Sequence, residues 1–161
     1  MSTWLYQTSI EMKGRVCIVI PAFNEEKAIA DVVASFSTRF SVIVVDDGST
    51  DQTAQLALNA GAVVHLNNSN QGYNKSLHLG INKAISDGYS VAVTIDGDGQ
   101  FSLIDAINAV HKIFEGFDVV VGRRSAFQRG AEFIFSVVSK EVWGILDPLC
   151  GLKAYKLDKI I

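Results

Sequence analysis

Asp96-Gly97-Asp98-Gly99-Gln100 puts two carboxylates one glycine apart, directly after the apolar run 90–95. Confining both negative charges to one turn raises the energy of the doubly ionised state unless a cation joins them. A hard divalent ion such as Mg²⁺ or Mn²⁺ does so, and it accepts carboxylate oxygens together with substrate phosphates. The flanking glycines leave room for a bulky ligand and permit unusual backbone angles. Asp-Gly is also ordinary turn chemistry, so this stretch alone does not separate a metal site from a polar turn. A second acidic cluster, Asp46-Asp47-Gly48-Ser49-Thr50-Asp51, follows the apolar run 41–45. A carboxylate there can accept the N–H donors of a nucleobase or a ribose hydroxyl. Asp47 is therefore expected to bind ligand, and Asp51 or Ser49 to cap the helix that follows.

The surrounding pattern supplies elements to position these groups. Residues 15–20 are rich in valine and isoleucine and stop at Pro21, a strand signature. Asn24 is expected to cap a helix whose apolar stripe is Ala28, Ile29, Val32, Val33 and Phe36. Runs 41–45, 63–66, 90–95 and 117–121 read as further strands. Between them, 51–60 reads as a helix ended by Gly61, and Leu77, Gly80, Ile81, Ala84 and Ile85 mark one face of another, ended by Gly88. Leu103, Ile107, Val110 and Phe114 are spaced for a fourth. Near-continuous apolar strands alternating with amphipathic helices imply an α/β fold with a mainly parallel central sheet flanked by helices. The polar clusters 21–26, 46–51, 96–100 and 122–124 then follow four strands. In an open parallel sheet those ends share one edge, where ligands bind. Four clusters there favour a site over turn chemistry.

Composition narrows the classes. The 161 residues are 48% hydrophobic and 19% charged, which fits one packed domain over 15–161 behind an N-terminal extension, 1–14. A formal charge of −3 argues against a sequence-independent nucleic-acid binder. Cys17 and Cys150 lack metal-ligand spacing, and two distant cysteines make no disulfide framework, so a reducing, cytoplasmic setting is the default. Residues 1–14 lack a signal-peptide core. No run reaches the roughly 18 apolar residues that span a bilayer; the best, 133–149, is broken by Lys140, Glu141 and Asp147. A soluble chain, or one peripheral to the cytoplasmic face of a membrane, is expected.

Taken in order, Ile20-Pro21-Ala22-Phe23-Asn24-Glu25-Glu26, Val44-Val45-Asp46-Asp47-Gly48-Ser49-Thr50-Asp51, Asp96-Gly97-Asp98-Gly99-Gln100, Val121-Gly122-Arg123-Arg124 and Asp147-Pro148-Leu149-Cys150-Gly151-Leu152 resemble the signatures of family 2 glycosyltransferases with the GT-A fold. The subgroup they are most similar to is the polyprenyl-phosphate glycosyltransferases, such as dolichyl-phosphate mannose synthase. The resemblance covers residues 15–155. It implies a metal-dependent, inverting glycosyltransferase that moves a sugar from a nucleotide-diphosphate donor to polyprenyl phosphate. It also implies a nucleotide pocket of Pro21, Phe23, Glu25, Val45 and Asp47, with Asp96 and Gly97 toward ribose and diphosphate. Asp98, with Gln100, would hold Mg²⁺ or Mn²⁺ on the diphosphate, and Arg124 would contact donor phosphate or sugar. Catalytic work would then fall to Asp96, Asp98, Arg124 and Asp147. A metal bridging the diphosphate neutralises the charge released as the glycosidic bond breaks.

A phosphate acceptor is already anionic and needs no base, whereas a glycan hydroxyl would need one, with Asp147 the candidate. His65, His78 and His111 are expected to be structural or at the surface. Arg123, Arg124, Arg129 and Lys140 are candidates to meet an acceptor phosphate, since arginine suits phosphate recognition. Asn70, Gly72 and Lys75 lie in a segment similar to the family's glycine-containing loop. Phe101-Ser102-Leu103 replaces the His-Pro-Pro that often follows the acidic motif. The chain ends at Ile161, where lipid-linked members commonly continue into further helices, so a truncated chain, a naturally short form and a member acting on a soluble acceptor all stay open, and the resemblance supports donor binding better than any particular acceptor. Two other classes stay open: a nucleotidyltransferase, whose glycine-rich basic signature is missing near the first strand, and a nucleotide-sugar binding module. A transfer assay separates the module from an enzyme.

Overall fold

The computed structural model describes residues 15–123, 139–140 and 147–160. Among them, strands β1 (Val16–Ala22), β2 (Ser41–Asp46), β3 (Val63–Leu66), β4 (Val91–Thr94), β5 (Val119–Val121) and β6 (Lys153–Lys156) form one sheet in the order β3-β2-β1-β4-β6-β5. β1, β2, β3 and β4 are parallel, and β6 runs antiparallel between β4 and β5. The fold is α/β, with a mixed sheet.

The apolar runs explain the centre. β1 is buried along its whole length, as two-faced burial requires of a near-continuous hydrophobic strand. Ile18, Ile20 and Ala22 join the core on one face, with α1 (Ile29–Ser37), Ala57 of α2 (Thr53–Asn59) and α4 (Leu103–Phe114). Cys17 and Val19 join the smaller core on the other face, under α3 (Tyr73–Ser86). The alternation follows the two-residue period of a strand.

Several boundaries differ from the expectations. β1 continues through Pro21, which pairs with Val45, whereas β4 pairs with β1 only as far as Val19. The Ile95 N–H still donates to the Val19 carbonyl (3.1 Å), and the pairing with β4 ends there because Pro21 has no N–H to continue the ladder. Asn24 does not cap α1. It sits in a left-handed turn at φ 56° and its side chain serves another loop, while Ala28 precedes the helix without a side-chain cap. Ile29, Val32, Val33 and Phe36 are buried as the stripe predicts. In α4 the buried set is Ala106, Ala109, Val110 and Ile113, while Phe114 is exposed and lies under the Arg15 guanidinium, 5.8 Å from the ring centre. β6 was not expected. Lys-Ala-Tyr-Lys carries charge at both ends, but Lys153 turns its ammonium onto the Cys150 carbonyl (2.7 Å) and Ala154 is buried in the core. Among the described residues, no helix is long and apolar enough to cross a membrane.

Candidate active site

The first two strand exits are stitched together by side chains. The Asn24 amide N–H donates to Ser49 Oγ (2.9 Å), and Asn24 Oδ1 accepts from the Thr50 N–H (2.9 Å). The Glu25 N–H donates to Thr53 Oγ1 (2.8 Å), and the Glu26 N–H to Asp51 Oδ2 (3.2 Å). Asp51 Oδ1 also accepts the Thr53 N–H (2.9 Å) and hydroxyl, so it serves the start of α2 much as a cap does, although Gln52 holds the formal cap position. Burial pushes the Asp51 carboxyl up, but these donors outweigh it and hold the group below its ordinary range. Ser49 caps no helix; its hydroxyl holds Asn24 and its N–H donates to Asp46 Oδ1 (2.7 Å).

Asp47 organises the next loop. Its Oδ1 accepts from Asn67 Nδ2 (2.7 Å) and the Gln71 N–H (2.9 Å), and its Oδ2 from the Gly72 N–H (2.8 Å). Burial raises its pKa, but the Gln71, Asn67, Ser76 and Gly72 donors together pull it below the usual carboxylate value. Gly48 permits the arrangement. It sits at φ 79°, and a Cβ there would come within 2.8 Å of the Ser69 carbonyl carbon and 2.9 Å of the Asn70 nitrogen.

At the β4 exit, Tyr73 donates its hydroxyl to Asp96 Oδ1 (3.0 Å). The turn 147–152 passes against the same carboxylate, which a Cβ on Gly151 would overlap. Asp98 Oδ1 accepts the Gln100 N–H (3.1 Å). Burial, then Asp98, Asp51 and Asp96, raise the Glu25 pKa, which records negative charge gathered on one side of the site.

These groups enclose a cavity of about 420 Å³ lined by Pro21, Phe23, Glu25, Asp47, Tyr73 and the backbone and side chains of 96–98, with Ala22, Asn70, Gly72 and Ser76 completing the wall. Of the expected residues, Pro21, Phe23, Glu25, Asp47, Asp96, Gly97 and Asp98 thus meet in one place. Val45 lies beneath, in the core under α3, and Gln100 is exposed beyond the turn. Asp147 is buried at the head of the 147–152 turn, outside the cavity wall. Gly122 and Arg123 line a separate hollow of about 240 Å³ against α4, with Phe101 and Lys112. Arg124 and Arg129 lie outside the described residues, and Lys140 is exposed. His65 is half-buried on β3, while His78 and His111 are exposed on helices. Sequence reasoning missed Tyr73 and Ser76. Ser76 had a signal, because a hydroxyl falls in the buried helix stripe Ser76, Gly80 and Ala84.

The glycosyl transferase family 2 profile matches residues 17–144. The chain belongs to glycosyl transferase family 2. Among family relatives, the glycosyltransferase AglJ of Haloferax volcanii is 36% identical over 116 residues, covering 71% of this chain and 37% of that protein. An undecaprenyl-phosphate 4-deoxy-4-formamido-L-arabinose transferase of Salmonella choleraesuis is 28% identical over 162 residues, covering 88% of this chain and 49% of its own. The chain therefore spans less than half the length of either relative. The crystal structure of glucosyl-3-phosphoglycerate synthase from Mycobacterium tuberculosis with Mn²⁺, UDP-glucose and phosphoglyceric acid superposes with a TM-score of 0.74 at 24% identity, over 89% of this chain and 57% of that one. That likeness fixes the GT-A fold of this family member.

Proposed function

We propose that the cavity binds a nucleoside diphosphate sugar with a divalent cation, and that the protein transfers the sugar to a polyprenyl phosphate. The observation that carries this reading is the convergence of Asp47 with Asp96 and Asp98 on one cavity from different strand exits. Asp47 addresses the base or ribose, Asp96 and Gly97 the ribose and diphosphate side, and Asp98, with Gln100, the cation. The residues fit such an ion. Among the described residues no group of three or more acidic, histidine or cysteine ligands forms a closed cage, and Mg²⁺ is commonly held by one or two carboxylates with substrate phosphates supplying the rest. The crowding of Glu25 by Asp98, Asp51 and Asp96 is the excess negative charge that a cation offsets. When bound, Mg²⁺ or Mn²⁺ supplies charge neutralisation of the diphosphate leaving group.

The chain's own groups hold the donor. Phe23 offers an aromatic face at the cavity wall, and Pro21 is rigid floor. In the transfer, an acceptor phosphate oxygen attacks the anomeric carbon with inversion, the bond from that carbon to the donor phosphate breaks, and nucleoside diphosphate leaves. A phosphate monoester is at least singly ionised at neutral pH, so no enzyme base is needed. The burial of Asp147 away from the cavity wall favours this acceptor over a glycan hydroxyl. Arg124 remains assigned to donor phosphate or sugar by resemblance. A polyprenyl acceptor calls for association with a membrane face from the cytoplasmic side.

Calorimetry with UDP-, GDP- and other nucleotide sugars, with and without Mn²⁺, tests the donor half. Transfer to a short-chain polyprenyl phosphate against sugar acceptors tests the other half. Metal-independent binding, or no binding, would reject the donor assignment; transfer to a sugar hydroxyl alone would reject the acceptor.

A further inference from the structure

We propose that Tyr73 is a positioning residue: its hydroxyl and the backbone of Gly151 together confine the Asp96 carboxylate, tying the loop held by Asp47 to the acidic turn. The proposal rests on the donor-site reading above. Tyr73 is the first residue of α3, immediately after Gly72, whose N–H is bound by Asp47. The place of the ring is thus set by the carboxylate at the β2 exit, while its hydroxyl ends 3.0 Å from Asp96 Oδ1 at the β4 exit. Burial and the Asp96 charge both raise the Tyr73 pKa, so the phenol stays a donor throughout the physiological range.

The other jaw is covalent backbone. Thr94 Oγ1 donates to the Gly151 carbonyl (3.1 Å), which pins the approach to β6 beside β4. Gly151 carries no side chain where any Cβ would strike the Asp96 carboxylate. A carboxylate between a fixed donor and a fixed wall has few rotamers left, and such pre-organisation removes an ordering cost from ligand binding. Tyr73 is also 46% exposed and stands in the cavity wall, so its hydroxyl contact is not a by-product of core packing.

A double-mutant cycle separates positioning from bulk structure. UDP binding with Mn²⁺, and in a parallel series GDP, is measured for the wild type, Tyr73→Phe, Asp96→Ala and the double variant, with thermal melts confirming folded protein. Tyr73→Phe should weaken binding about tenfold in the wild-type background and less than about twofold once Asp96 is gone. Equal loss in both backgrounds, or none in either, would overturn the proposal. If the wild type binds neither nucleotide, the donor reading fails by itself. A crystal structure of Tyr73→Phe then decides the clamp independently, because an Asp96 carboxylate left in place overturns it and one that has swung away supports it.

Discussion

At the scale of single residues, Asp47 and Asp98 carry opposite kinds of work. Asp98 accepts the Gln100 N–H of its own turn and stands in the cavity wall among other acids. Asp98→Asn should therefore leave the fold intact and abolish most of the metal dependence of nucleoside diphosphate binding, as read by calorimetry with and without Mn²⁺. Unchanged metal dependence would sink the assignment. Asp47, in contrast, holds the 67–72 loop through Asn67, Gln71 and Gly72. Its removal leaves part-buried donors without their acceptor, which costs about 1–3 kcal/mol. Asp47→Ala should lose that much in urea unfolding and should weaken a nucleoside monophosphate as strongly as the full donor. A loss confined to the sugar part would place Asp47 elsewhere.

At the scale of elements, two local devices set where the site residues stand. Gly48 has both a left-handed backbone and a neighbouring backbone inside any Cβ's reach. Gly48→Ala should destabilise the fold by about 1–3 kcal/mol and reduce donor binding, because the 67–72 loop must withdraw. A variant with wild-type stability and affinity would show that the loop moves freely. At α4, Ser102 Oγ accepts the Asp105 N–H (3.3 Å), while Asp105 accepts the Ser102 N–H (2.9 Å), a reciprocal box at the helix start. Ser102→Ala should cost about 1 kcal/mol without changing the metal dependence of binding, since the box follows the acidic turn and shares no hydrogen bond with it. This box stands where the resemblance would have placed His-Pro-Pro.

At the scale of the whole molecule, charge and burial predict a stability window. The hydroxyl and N–H of Ser102 hold Asp105 below its ordinary 3.8, and Asp47 and Asp51 are also lowered, burial opposing but hydrogen bonds prevailing. A lowered carboxyl contributes stability that is complete above its unfolded value and is lost as pH falls through the folded one. Cys17 runs the other way. Burial, with Asp87 adding to it, pushes the thiol from 9.0 to about 12, so its contribution is complete below about 9 and disappears as pH rises toward 12. Urea midpoints should hold level across neutral pH and fall below about 4 and above about 9. Cys17 and Cys150 are both buried, so a thiol reagent should label neither until the chain unfolds. Fast labelling of the native protein would contradict this core.

The sequence by itself determined the parallel part of the sheet and the clustering of acids at its edge. Apolar runs of strand length leave a buried strand no other place, and the turn after each run must then fall at one edge. It also carried the family, because ordered short motifs survive where whole-chain identity is low. What it left undecided were contacts between residues far apart in the chain. Asn24 looked like a cap by its position before a helix, but its side chain goes to Thr50, 26 residues on. β6 could not be read from Lys-Ala-Tyr-Lys, since its strand partners lie about 60 and 35 residues upstream and only their pairing hides Ala154. Tyr73 was not singled out by any motif, and only the tertiary structure carries its hydroxyl to Asp96 while bringing Gly151 against the same carboxylate. Periodicity reports how a segment faces its surroundings; which distant group it faces is decided when the sheet and its loops close around a common edge.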